Sequence, residues 1–443
     1  MPTQRSKPTL NFRPCRTDAE LAAYARLTSL AFGRTQSEAA DWLKARKPQD
    51  IRVLTDAPRT RRTPERKPLV LHGVEMDPGV CAGLITIPMG QYFGGVPIPL
   101  TGVAAVAVGP ESRGRGLAGE MMRRALREMR ERETPLSGLY AATHRLYRSV
   151  GYEQAGHRYE GRLSLWRLSE LVSRQSAKTS RLIVRPAVDA DRPRIEAAYR
   201  HFAAANNGSM DRGEYLWNHI RGTAPDPSRA FLIEDPHAKP DARVVGWAFI
   251  SQPAAPRPPL PAAAGPNKHE VFVHDMGALT PQAAERLWGF FAGFATIATD
   301  LVFFAGPAHP LLMLLPEQIY ALTLRDHWMI RLVDLVRAIE RRRFPLGLRA
   351  SVRLNVRDDV IRANAGGWKL SVEGGRARVK RDTPSARSSV ELSVGTLAAV
   401  YSGYLSPIQL AQVGQVRAPA AAIASLASIF APAHGPPSMS EMY

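Results

Sequence analysis

Residues 106–118 read Val-Ala-Val-Gly-Pro-Glu-Ser-Arg-Gly-Arg-Gly-Leu-Ala, an apolar run into a turn carrying Arg113, Gly114, Arg115 and Gly116, with a helical stretch over 119–132 behind it. Strand, basic glycine turn and helix, in that order, make an anion site. The first backbone N–H groups of a helix are unpaired and carry partial positive charge, so phosphates bind there. Gly114 and Gly116 let an anion approach the backbone because no Cβ stands in the way. Arg113 and Arg115 add guanidinium groups that fork onto phosphate oxygens. The turn lacks the Gly-Lys-Ser/Thr ending of a nucleoside-triphosphate loop. It also lacks the glycine spacing and following acid of a dinucleotide fold. A phosphate-bearing ligand of another kind is expected.

The stretch Arg113-Gly114-Arg115-Gly116-Leu117-Ala118 resembles the Arg-x-x-Gly-x-Gly/Ala loop of the GNAT acetyltransferases, which holds the pyrophosphate of acetyl-CoA. The resemblance implies that Val106, Ala107, Val108, Arg113, Gly114, Arg115, Gly116, Leu117 and Ala118 bind acetyl-CoA or another acyl-CoA as co-substrate, with no metal. Residues 92–99 and the run Leu146-Tyr147-Arg148-Ser149-Val150-Gly151-Tyr152 are similar to the Eis-type (enhanced intracellular survival) branch. Acyl transfer from a thioester to an amine needs a neutral amine, a stabilised oxyanion and a proton for the departing thiolate. In the Eis-type pattern Tyr147 supplies that proton, a backbone N–H around Val106 and Val108 meets the oxyanion, and Thr143 reaches the cofactor. The C-terminal carboxylate of such proteins takes the proton from the amine, a role that here falls to Tyr443. Phe32 borders the acceptor pocket, and Glu441 is the one acid that can be placed in it. The acceptor implied is a primary amine of a small molecule such as an aminoglycoside, or of a peptide or protein lysine.

Acids line the family's pockets for polycations, so a single acid leaves alternatives. One is an apolar lining with a longer acyl group or a peptide amine as acceptor. Another is a lipid-binding or nucleic-acid-binding protein with a vestigial CoA site.

These residues need a scaffold. At 443 residues and 45% hydrophobic, the chain has room for two or three domains. Its formal charge of +19 comes from arginines scattered through every segment. No nucleic-acid-binding signature accompanies them, so a solvated basic surface is expected. Two cysteines are too few for a disulfide framework or a cysteine metal site. With no leader-like or spanning apolar run, a cytoplasmic protein is expected, as a homo-oligomer that the resemblance makes a hexamer.

Strands are expected at residues 11–16, 51–54, 68–72, 80–89, 101–108 and 136–142, with a loop at 56–67. Helices are expected after Thr17, over 37–45 and, capped by Thr143, after residue 143. Residues 173–180 read as a linker. From Leu182 the plan repeats, but the turn at 275–280 holds one glycine, an acid and no arginine, so it should not bind a pyrophosphate. Beyond residue 343 alternating strands and three helices resemble a sterol-carrier-like domain. The fold expected is α/β (α+β): GNAT-like domains at 1–172 and 181–343, then a sterol-carrier-like α+β domain at 344–443 whose tail reaches the active site.

Overall fold

The computed structural model describes residues 10–56, 70–71, 74–75, 79–175, 181–222, 228–252, 269–385 and 388–443. The first part runs β1 (Leu10–Pro14), α1 (Asp18–Phe32), α2 (Gln36–Lys44), β2 (Ile51–Asp56), β3 (Val70–Leu71), β4 (Val74–Glu75), β5 (Val80–Phe93), β6 (Val96–Val108), α3 (Leu117–Glu131), β7 (Leu136–Tyr140), α4 (His144–Arg148), β8 (Glu153–Ser164) and α5 (Leu165–Gln175). Then come β9 (Ile183–Pro186), α6 (Arg192–Ala204), β10 (Met210–Asp211), α7 (Glu214–Arg221), β11 (Arg229–Glu234), β12 (Val244–Ser251), β13 (His269–Ala278), α8 (Pro281–Ala292), β14 (Ala298–Ala305), α9 (Pro310–Met313) and β15 (Tyr320–Leu332). The last part is α10 (Leu335–Arg341), β16 (Ala350–Arg357), β17 (Gly366–Glu373), β18 (Arg376–Arg381), β19 (Ser389–Ser393), α11 (Val394–Ser402), α12 (Pro407–Gln412), β20 (Val416–Arg417) and α13 (Ala420–Ile429).

The first two parts share one 13-stranded sheet, ordered β1-β2-β5-β6-β7-β15-β8-β14-β13-β12-β11-β9, with β10 on β5. Its centre is an exchange. Strand β15 pairs antiparallel with both β7 and β8, and β8 pairs onward with β14. The third part folds its own five-stranded sheet.

Helices α1 and α2 cover one face around Tyr24, Leu27 and Leu43, and α3 covers the other. Leu117, Met121, Met122, Ala125, Leu126 and Met129 of α3 recur at helical spacing and are all buried. Thr17 accepts from the Glu20 N–H to start α1, and Gly33, at φ 64°, ends it.

Two expectations change here. Residues 173–175 continue α5 as helix, because the apolar face that begins at Leu165 and Leu168 still packs on the second core. Residues 176–180 lie outside the described residues, as do 57–67 of the expected loop and 68, 69 and 72 of the expected strand 68–72. Thr143 stands before α4 with no capping hydrogen bond, and the helix ends by residue 148. Among the described residues no helix is long and apolar enough to cross a membrane, and no group of three or more His, Cys, Asp or Glu is placed to hold a metal.

Candidate active site

Strands β6 and β7 pair in parallel from Leu100↔Leu136 to Gly102↔Gly138, and then part. Beyond that point β6 stays paired with β5 and β7 stays paired with β15 on its other edge, so a split opens between β6 and β7. Along β6 the register with β5 moves from Gly83↔Ala107 to Ile85↔Ala104, so Ala105 and Val106 stand opposite Leu84 alone. Ala105 takes φ 52°, and the Tyr24 hydroxyl donates to its carbonyl at 2.6 Å. The bulge takes the backbone around Val106 out of the ladder at the edge of the split. Ala107 is buried in the α1/α2 core, and Val108 packs on the α3 side.

The turn after β6 is exposed from Arg113 to Gly116. Gly114 and Gly116 take φ 73° and 74°, and a Cβ on either would meet open space. Gly116 caps α3 with no side-chain bond, and the first intrahelical bond runs from the Glu120 N–H to its carbonyl. The N–H groups of Leu117, Ala118 and Gly119 therefore face the turn without a carbonyl partner among the described residues. Arg115 pairs with Asp56 at 2.7 Å. These residues fit an anionic group such as a pyrophosphate.

The second turn differs in kind. Thr280 accepts from the Ala283 N–H and Pro281 opens α8, so the donors an anion would need are capped or missing. A Cβ on Gly277 would come within 2.4 Å of the Trp247 indole.

Tyr147 is buried on the α3 side of the sheet, its ring 6.1 Å from that of Tyr152. Burial pushes its phenol up to about 12. Thr143, at the mouth of the same helix, is exposed.

Tyr443 packs on the other face, with the α1/α2 core. Its ring lies over the paired glycines Gly102 and Gly138: added Cβ atoms would come within 2.9 Å of its Cε2 and 2.6 Å of its hydroxyl. The Tyr140 ring meets it at 5.6 Å. The tail that delivers it is clamped. Tyr140 donates to the Glu441 carbonyl at 2.6 Å, Arg158 donates to the Ser440 carbonyl at 2.9 Å, and Ser438 bridges His157.

Phe32 is half exposed and lines a cavity of about 250 Å³ with Trp42, Ala105, Tyr215, His219 and Tyr443. The sequence reading anticipated neither Trp42, Tyr215 nor His219 there. The helical spacing of α2 and α7 could have put the two aromatics on inner faces, but their meeting across more than a hundred residues carries no local signal. Packing around the His219 ring, and the Arg46 and Arg158 guanidiniums, hold its pKa below the ordinary imidazole value although part of the residue meets solvent.

Glu441 lies elsewhere. Its carboxylate accepts from Arg212 at 2.6 Å, and Arg212 also grips Asp275 through two 2.7 Å bonds. A buried guanidinium needs paired carboxylates around it, so Glu441 anchors the tail and does not line the cavity beside Tyr443.

Comparison with known proteins agrees with this architecture. Residues 12–155 and 208–332 each match an acetyltransferase (GNAT) domain, and 335–440 match a sterol carrier protein domain. The chain is therefore an acetyltransferase of GNAT type, an enzyme class that uses acetyl-CoA and acts on amines. An uncharacterised N-acetyltransferase of Streptomyces griseus is 29% identical over 352 residues, covering 75% of this chain and 79% of that one. A GCN5-related N-acetyltransferase from Anabaena variabilis is 25% identical with a TM-score of 0.83, covering 98% of this chain and 100% of its own. Eis1 from Mycobacterium abscessus shares the fold at 18% identity and TM-score 0.71, over 98% and 100% of the two chains. Two GNAT domains followed by a sterol carrier domain thus make up the chain, and Eis1 shares that fold.

Proposed function

We propose that the protein transfers an acyl group directly from acyl-CoA to a primary amine of a small molecule or peptide, in a ternary complex at one site in its first domain. The observation that carries this reading is the placement of Tyr147 and Tyr443 on opposite faces of the sheet, with the β6/β7 split between them. The thioester enters from the turn at Arg113–Gly116 and the amine from the Phe32 cavity.

The Tyr443 carboxylate takes a proton from the amine, whose lone pair attacks the thioester carbonyl. The N–H around Val106 meets the oxyanion. On collapse the C–S bond breaks and Tyr147 passes its proton to the thiolate. A phenol at about 12 holds that proton at neutral pH until a base forms beside it. In this reading Thr143 touches the co-substrate, and divisions at 172, 181 and 343 separate cofactor, pocket-shaping and sterol-carrier-like parts. Adding four residues after Tyr443 should lower turnover by about tenfold or more with unchanged acyl-CoA affinity. Full activity in the extended chain would remove the carboxylate from the mechanism. Light scattering should show a hexamer.

A further inference from the structure

The cavity beside Tyr443 has a charge that the transfer chemistry does not require. Arg34 lines it, with its guanidinium 5.2 Å from the Trp42 ring centre. Arg46 lies 4.6 Å from the same ring and 4.1 Å from the ring of Tyr215, so it stacks on two residues of the aromatic wall without itself lining the cavity.

Nearby arginines are neutralised: Arg13 by Glu20, Arg26 by Glu111, Arg52 by Glu128 and Arg115 by Asp56. Arg34 and Arg46 have no ion pair among the described residues. Glu38 and Asp50 feel their fields, but Glu38 is held by the Thr35 cap and neither comes within ion-pair distance. The Nε of Arg46 is buried with no hydrogen-bond acceptor among the described residues. A buried donor is costly to leave unmet, and the partner that meets a guanidinium best is a carboxylate or phosphate oxygen. Among the described residues no aspartate or glutamate lines the cavity, so apart from the Tyr443 carboxylate that serves as base, a polycation would find aromatic walls and like charge.

Resting on the amine-transfer reading above, we propose that the acceptor is an amine that also bears an anionic group on an aromatic or apolar body. The body fills the Phe32, Trp42 and Tyr215 walls, the anion meets Arg34 and reaches Arg46 at the edge of the Trp42 and Tyr215 rings, and the amine lies toward Tyr443.

The test is acetyl transfer to a matched pair, 4-(aminomethyl)benzoate and 4-methylbenzylamine, with tobramycin as the polycation. The wild-type protein should use the carboxylate with a kcat/KM about tenfold above the neutral amine, and tobramycin least. Arg46→Gln, and separately the exposed Arg34→Gln, should bring the ratio within the pair toward one through KM for the carboxylate, with acetyl-CoA affinity unchanged. Equal use of the pair by the wild type, a preference for tobramycin, or a ratio untouched by both substitutions overturns the acceptor class while leaving amine transfer standing. Transfer to none of the three overturns the amine-transfer reading and this proposal with it.

Discussion

The Tyr147 phenol shows how position alone sets a role. It sits on a five-residue helix, buried at 6% exposure, and its proton is held by loss of solvent, which pushes it up to about 12. Tyr147→Phe keeps the ring packing and removes only the proton. Turnover should fall by about tenfold or more while calorimetric acyl-CoA affinity stays within a factor of about two. Unchanged turnover would return Tyr147 to the role of a packing residue.

The same scale divides what could be read from the sequence. The anion turn was legible because its four residues and its helix are contiguous. The short helix that carries Tyr147 was legible for the same reason, since it shares one short run with the Gly151-Tyr152 pair. Glu441 was not. Its partner Arg212 is 229 positions away, and nothing local distinguishes an acid that anchors from one that lines a pocket. Phe32 is half exposed and lines the cavity beside Tyr443.

At the scale of elements, the Tyr443 ring covers the last pair of β6 and β7 before they part. Gly102 and Gly138 are register partners, and the Tyr443 ring occupies the space their side chains would take. Gly138→Ala should therefore displace Tyr443 and leave the turn at Arg113–Gly116 untouched. Turnover should drop by about tenfold with little change in acyl-CoA affinity, and an unperturbed rate would show that the ring's seat is immaterial. Most of the strands and helices of this region were legible from apolar runs and caps such as Thr17. Strands β8 and β15 escaped notice. β8 is studded with polar residues, Glu153, Gln154, His157, Arg158 and Glu160, and the partners that bury its alternate positions lie on β15 and β14. The pairing that makes them strands is long-range, so no local pattern announces the exchange.

At the scale of the whole molecule, the tail after α13 ties the parts together. A proline-rich stretch of small residues reads locally as frayed, yet Met439 and Glu441 are buried and the tail crosses from the second part to the first. That outcome depends on the assembled surface of both parts.

The junction also sets an acid limit. Burial pulls His309, beside Phe202 in the second part, from 6.5 down to about 4, and His157, His327 and His434 shift the same way by burial. The unfolded chain then binds more protons than the folded one between about 6.5 and 4. Stability is present above that window and is lost as pH falls through it, by up to about 1.4 kcal/mol per pH unit for a single such group. Thermal unfolding should show the midpoint falling by a few degrees between pH 7 and pH 5. His309→Asn, which retains an acceptor for the Leu311 N–H, should flatten the slope, and a midpoint independent of pH would contradict it.

The central claim is direct transfer at one site from acyl-CoA to an amine, and initial-rate thiol release with acetyl-CoA and 4-(aminomethyl)benzoate both varied tests it most directly. Amine-dependent release with intersecting double-reciprocal lines is the predicted result. Parallel lines, or release that does not depend on the amine, would contradict it.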